Sequence, residues 1–254
     1  MNTQTINIDS AVRHYRLRHT DRPECRIRAA LIDMDGTLYD SMRNHAAAWH
    51  RMMTEAGFPS NPDEYFLFEG MTGAATINLL LNRYLHRDAT PEEIERMYYL
   101  KTVYFNESPA VPPMPGAVRM LETLADMGIK RILVTGSGQA SLIDRLTRDF
   151  PGHFKPDELV TSNNVSRGKP DPEPYLKGMD IAGVLPEEAI VIENAPLGVK
   201  AGARSGAFTI GVTTGPVPAE SLLSEGADIV FPSMPALADH VRELTDKLNT
   251  RSSD

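Results

Sequence analysis

Apolar positions along this chain follow two rhythms, and the switch between them marks out its parts. A four-residue apolar run, Ala29 to Ile32, reads as a strand buried on both faces. Beyond Asp40 the period becomes helical: Met42, Ala46, Trp49 and Met53 share a face, and Gly57 with Pro59 ends it. A second helix is predicted over Ala74 to Tyr84. A third opens at Thr90-Pro91-Glu92-Glu93, where Thr90 can cap, Pro91 takes the first helical position and Glu93 completes a capping box. Its face continues through Ile94, Met97, Tyr98, Lys101 and Tyr104. Ser41 to Ser108 is therefore a helical block of small-bundle size. Pro109, Pro112, Pro113 and Pro115 bound it and suggest a hinge where the chain returns.

From Gly116 short apolar runs and helical faces alternate. Val118, Leu121, Leu124 and Ala125 make a helix face that Gly128 ends, and Arg131 to Val134 is a strand. A helix through Leu142 and Leu146 precedes a weak strand, Leu159 to Thr161, and a helix over Tyr175 to Ile181. Strands follow at Ala189 to Ile192, Phe208 to Val212 and Asp228 to Phe231. Helices follow at Leu197 to Arg204 and from Pro235. Such alternation predicts a parallel sheet with helices on both faces, which binds ligands beyond the carboxyl ends of its strands.

Composition narrows the partners. The 254 residues fit one large domain or two small ones, and the net charge of -8 argues against a nucleic-acid backbone. A phosphate substrate would need a local cation against that background. No apolar run is long enough to span a membrane. The single cysteine, Cys25, excludes an intramolecular disulfide framework and fits a reducing, cytoplasmic setting. Met1 to Arg28 is polar, carries Arg13, Arg16, Arg18 and Arg22 among its arginines and lacks the apolar core of a secretory signal. The expectation there is a poorly packed leader or a short surface helix.

The candidate chemistry begins where the first strand ends. Asp33 and Asp35 stand one residue apart, so in an extended chain they would point to opposite sides. Gly36 allows the bend that brings both to one substrate. Two carboxylates beside one bend suggest a hard divalent cation and a division of labour between nucleophile and acid.

Asp33-Met34-Asp35-Gly36-Thr37-Leu38 resembles the first motif of the haloacid-dehalogenase-like (HAD) phosphotransferases. Val134-Thr135-Gly136-Ser137-Gly138, Gly168-Lys169-Pro170-Asp171-Pro172 and Ile192-Glu193-Asn194-Ala195-Pro196 resemble the three that follow. The resemblance implies an α/β HAD-like Rossmannoid core, a parallel sheet with helices on both faces, carrying an inserted helical C1 cap. The implied division is a leader over 1–27, a core of 28–40 and 113–254, and a cap of 41–112. It implies Asp33 as nucleophile, Asp35 as acid/base, Thr135 with Gly136 and Ser137 as phosphate donors, and Lys169 as the neutralising cation. It further implies Mg2+ as cofactor and a small phosphorylated substrate; a monomer is the expectation.

Two departures matter. Most relatives have a second acid where this chain has Asn194, beside Glu193. Metal affinity is then weakened, leaving a non-catalytic phospholigand binder, or another carboxylate compensates. Glu69, in the cap segment Phe68-Glu69-Gly70-Met71-Thr72-Gly73, is the candidate for compensation, so the metal set is Asp33, Asp35, Asn194, Glu193 and Glu69. The combination looks most like a Bacteroides-type branch of β-phosphoglucomutase-like proteins that includes an inorganic pyrophosphatase, although that branch typically has Arg in place of Met71. His45, early in the first cap helix, and Gln139, in the second motif's turn, are further candidates for the substrate side. Inorganic pyrophosphate is the first substrate expected, a sugar-phosphate monoester the second and β-phosphoglucomutase activity the third.

Overall fold

The computed structural model describes residues 6–19, 26–137 and 142–250, so Gln139 lies outside the described residues. Six parallel strands form one sheet: β1 (Ala29–Ile32), β2 (Lys130–Val134), β3 (Leu159–Val160), β4 (Ala189–Glu193), β5 (Phe208–Val212) and β6 (Ile229–Phe231). Their order across the sheet is β3-β2-β1-β4-β5-β6. All four residues of β1 and all five of β4 and β5 are buried, the two-sided burial that short continuous apolar runs dictate. The chain winds outward from β1 through β2 to β3, then crosses back to place β4 on the other side of β1. Ile32 of β1 is in register with Leu133 and with Ile192. The segments leaving β1, β2 and β4 therefore emerge side by side at the switch point, where doubly wound sheets open a crevice.

Helices α5 (Ala117–Asp126), α6 (Leu142–Asp149), α7 (Glu173–Ala182), α8 (Pro196–Ser205), α9 (Ala219–Ser224) and α10 (Met234–Asn249) flank the sheet. Two buried apolar clusters lie on its opposite faces: one holds Ile32, Leu121, Phe208 and Leu244, the other Leu31, Val134, Tyr175 and Val191. Val118, placed by periodicity on the inner face of α5, is 40% exposed, and Met120 is buried there instead.

Helix α1 (Ile8–Arg18) corrects the expectation of a poorly packed leader. Its Ile8, Ala11, Val12 and Tyr15 belong to the main core cluster, and the Tyr15 hydroxyl donates to the Gly206 carbonyl at 2.9 Å. Only four of its eleven residues are buried apolar ones, which is why the polar composition of the stretch concealed them.

The cap comprises α2 (Met42–Glu55), a 3-10 segment (Pro62–Leu67), α3 (Gly73–Leu85) and α4 (Pro91–Asn106). Trp49, Met52, Met53, Ile77, Leu80 and Met97 give it a separate apolar cluster. The box at Thr90 forms as the spelling dictates: Glu93 N–H donates to Thr90 Oγ1 at 3.3 Å and Thr90 N–H to the Glu93 carboxylate at 2.8 Å. Cap and core join where Met114 N–H donates to the Leu38 carbonyl and Asp40 N–H to that of Pro112. The 3-10 turns and the six-residue α9 escaped the periodicity reading because fewer than two turns leave no repeat to count.

Candidate active site

Strand ends place the acids. Asp33 follows β1 directly, its N–H donating to the Ile192 carbonyl of β4 at 3.0 Å, so its position is fixed by sheet register. The chain then bends. Gly36 has φ +86°, and a Cβ on it would lie 2.0 Å from the Asn194 amide nitrogen, so the turn needs glycine for conformation and for room. That bend returns Asp35 to the cavity that Asp33 lines. Asp35 Oδ1 accepts from the Ser41 hydroxyl at 2.6 Å and from His45 Nε2 at 3.1 Å. His45 Nδ1 in turn meets the Lys101 ammonium at 2.6 Å. This chain of contacts makes His45 the Nε2–H tautomer, accepting from Lys101 and donating to Asp35.

Lys169 is buried between two carboxylates. Its ammonium lies 2.5 Å from Asp33 Oδ1 and 2.6 Å from Glu193 Oε1, and donates to the Val134 carbonyl at 3.1 Å. Both Glu193 oxygens are engaged. Oε1 also accepts from the Tyr175 hydroxyl at 2.6 Å, and Oε2 accepts from the N–H groups of Asn194 and Ala195 at 3.1 and 3.2 Å. Glu193, expected among the metal ligands, meets Lys169, Tyr175 and two backbone N–H groups. Gly198 keeps this packing possible, since a Cβ there would fall 1.8 Å from Glu193 Oε1.

The second motif turns at Thr135, Gly136 and Ser137, all lining the cavity, and Ser137 N–H donates to Thr135 Oγ1 at 3.0 Å. The cap loop closes over it: a Cβ on Gly136 would meet the Met71 and Gly70 carbonyls at 3.0 and 3.1 Å. Glu69 reaches from that loop to the core, where Asn194 Nδ2 donates to its Oε2 at 2.8 Å. Asn194 Oδ1 accepts from Thr37 at 3.3 Å. The cavity is about 80 Å3, walled by Trp49, Phe68, Met71 and Tyr98 on the cap side.

The charges are out of balance. Lys169 is held protonated by Asp33 and Glu193 against the burial that disfavours its charge. Burial and the Glu193 charge push Asp33 up to about 8, with Lys169 opposing. Burial raises Glu69 well above the usual carboxylate range; the Asn194 hydrogen bond resists, and Asp33, Glu193 and Asp35 add repulsion. Asp35 goes the other way: burial is outweighed by His45, Ser41 and the charge of Arg145, which hold it below the usual range. Burial, with Asp35 opposing, brings Lys101 down to about 8. Burial also lowers His45, Lys101 adding to it.

These donors suit a hard divalent cation. Asp33, Asp35, Glu69 and the Asn194 amide line one cavity and all offer oxygen, and the raised Asp33 and Glu69 carboxyls would gain from a cation there. Among the described residues, however, no three His, Cys, Asp or Glu side chains already stand grouped as a metal cluster. A neutral amide at 194, where a carboxylate would complete such a group, accounts for part of this.

Two participants went unrecognised in the sequence. Lys101 sits on an otherwise apolar helix face, a signal visible in the spacing of α4. Tyr175 carries none, since a tyrosine after Pro172-Glu173-Pro174 looks like ordinary helix core.

Comparison with known proteins agrees with this geometry. Residues 27–206 match the sequence profile of the haloacid dehalogenase-like hydrolases. The fold superimposes on a Bacteroides vulgatus protein provisionally assigned as a beta-phosphoglucomutase, with a TM-score of 0.92 and 44% identity over 96% of this chain and 98% of that one. Hexitol phosphatase A of Escherichia coli is 29% identical over 82% of this chain and 92% of its own length. A phosphorylated carbohydrates phosphatase of Thermotoga maritima is 30% identical over 78% and 91%. With Asp33, Lys169 and the Thr135 turn gathered at the switch point of a parallel sheet, and the profile spanning residues 27–206, the chain belongs to the haloacid dehalogenase-like hydrolases.

Proposed function

We propose that this protein is a Mg2+-dependent phosphohydrolase that works through an aspartyl phosphate on a small soluble phosphate, inorganic pyrophosphate first. The reaction rests on one observation: the Lys169 ammonium beside the Asp33 carboxylate at the strand ends, with the Thr135 turn lining the same cavity. Asp33 attacks phosphorus, and Lys169 and the turn donors stabilise the charge on the phosphoryl oxygens. Asp35 protonates the leaving group, then takes a proton from the water that attacks the phospho-aspartate, releasing phosphate and restoring Asp33. Asp33, Asp35, Asn194 and Glu69 are the residues that would hold Mg2+, which supplies further neutralisation of the transferring group. Glu69 then returns the charge that Asn194 lacks.

Pyrophosphate stands first by the likeness to the branch that includes an inorganic pyrophosphatase, and the cavity of about 80 Å3 suits a small substrate. A phosphorylated carbohydrate is the second reading, favoured by the two relatives named for hexitol phosphate and phosphorylated carbohydrates. Phosphate release should be measured with Mg2+ across pyrophosphate, hexose and pentose phosphates and glycerol phosphate, with Asp33→Asn as control. Turnover of pyrophosphate above the others, lost in the control, is the expected result. A preferred sugar phosphate moves the assignment to the second reading. Silence on every substrate removes the hydrolase and leaves a mutase or a phospholigand binder, separated by interconversion of β-glucose 1-phosphate and glucose 6-phosphate.

A further inference from the structure

One aromatic side chain packs on both sides of the seam between cap and core. Phe66, in the 3-10 segment, lies against the cap's own apolar cluster and also against a separate core cluster of Val199, Val217, Leu222 and Ala227. Among the described residues of the four cap elements, it is the one side chain that joins an apolar cluster of the core.

Local structure dictates this. A 3-10 helix has three residues per turn, so Tyr65 and Phe68 share a face. That face belongs to the cap: Tyr65 is buried, stacks on Trp49 and meets Phe68 edge-on. Asn61 and Glu64 close the first turn as a capping box, and Arg83 of α3 pairs with Glu64. Phe66 falls off that face and turns to Val199 of α8 and Leu222 of α9. The segment is thus braced against the cap and offers one ring to the core.

The loop that meets the site comes next in the chain. A Cβ on Gly168 would lie 2.7 Å from Thr72 Cγ2, and one on Gly70 3.0 Å from Lys169 Cδ. Loop and core turns therefore meet without spare room, and a small shift separates them. Polar contact alone fastens the loop weakly. Seating it carries the Glu69 carboxyl out of water into the cavity that Asp33 and Asp35 line, against one hydrogen bond from Asn194. Burial of the Phe66 ring on the core offsets that cost.

We propose that Phe66 is the latch of the cap, a positioning residue whose seat on Val199, Val217 and Leu222 holds the loop closed and Glu69 at the site. Its effect on turnover rests on the phosphohydrolase reading; the latch itself does not.

Pulsed-EPR distances test it without turnover. Spin labels at Tyr99→Cys, exposed on α4, and Leu185→Cys, exposed on the core, in a Cys25→Ser background, report the position of the cap. Phe66→Ala should raise the open fraction roughly tenfold, as expected from losing part of an aromatic side chain's burial, and Phe66→Leu should stay near wild type. Val217→Ser weakens the seat from the core side and leaves the cap's own packing alone, so it should open the cap too. Circular dichroism checks the fold, and Val217→Ser carries the test if Phe66→Ala does not fold. A wild-type distribution in either variant overturns the proposal; opening by Phe66→Ala alone would trace the effect to the cap's interior.

Kinetics gives a second signature. Saturating substrate and Mg2+ pull the cap closed, so Phe66→Ala should raise KM roughly tenfold and keep kcat within about twofold. A cap that is merely damaged lowers kcat at unchanged KM, which would also overturn the latch. Opening without phosphate release from any substrate keeps the latch and sinks the hydrolase reading; release with the cap's position unchanged does the reverse.

Discussion

The two walls of the cavity are built in different ways. The core wall is set by strands: Asp33, Thr135 and Glu193 lie at or just past the ends of β1, β2 and β4, and register fixes their spacing. The cap wall is set by side chains reaching across a gap. Glu69 touches Asn194, and Lys101 reaches His45, which reaches Asp35. The first wall is made by the core alone. The second needs the cap. We read the core wall as the place of chemistry and the cap wall as the place of substrate choice and metal charge.

Breaking the core wall should have the largest effect. Lys169→Met leaves two carboxylates buried without their cation, so we expect about 3–5 kcal/mol of lost stability. Activity should fall by about 10²–10³-fold, as when a charge-stabilising donor is removed. Urea unfolding and phosphate release check both, and a variant as stable as wild type would mean that Lys169 does not hold the wall together. Tyr175→Phe is gentler. It removes the 2.6 Å bond to Glu193 without creating a cavity, and should cost about 1.5–3 kcal/mol, with catalysis changed less than stability.

Changes to the cap wall should look different. Glu69→Gln keeps shape and hydrogen bonding but removes charge. The Mg2+ concentration for half-maximal rate should rise about tenfold at nearly constant stability. Unchanged Mg2+ dependence and turnover would end the idea that Glu69 compensates for Asn194.

Lys101→Met sharpens the contrast by its sign. Lys101 is brought down to about 8, below its ordinary 10.5, by burial. Below pH 8 the folded protein therefore bears the cost of a buried charge, and that cost is relieved as pH rises from about 8 towards 10.5. The methionine variant should be more stable than wild type at pH 7, by about 1–2 kcal/mol, and less active. Its advantage should shrink as the pH rises from 8 to 10. Melting curves at pH 7, 8.5 and 10 would show this, and a constant difference would contradict it.

The same contrast decides what could be read from the sequence. The strands, the helical block and the core wall were legible because each depends on local spelling. Four apolar residues then Asp33 make a buried strand ending in an acid, and Gly36 makes the bend. The cap wall depends on which loop meets which turn, and residue spacing does not carry that. Family likeness supplied Glu69 and His45 as candidates. Lys101 stood in the predicted α4 face, but nothing local told whether it would be solvated or buried against His45. Glu193 was assigned to metal because it sits in the right motif, whereas Tyr175 and Lys169, far away in sequence, claim its oxygens. That helix α1 packs into the core was missed for the converse reason: its four buried side chains are diluted by arginines that face solvent or reach neighbouring elements.

One of those arginines bears on when the fold can be completed. Arg16 donates to the carbonyls of Lys247, Leu248 and Thr250 at the far end of α10, closing the helix's last turn across 231 or more residues of chain. Residues so distant meet late, because the ring they close must be ordered first. Synthesised from its N-terminus, the chain makes α1 long before α10, so α1 has no final seat until α10 has left the ribosome. Throughout that interval Ile8, Val12 and Tyr15 remain without their partners, an apolar face on which folding chaperones could act.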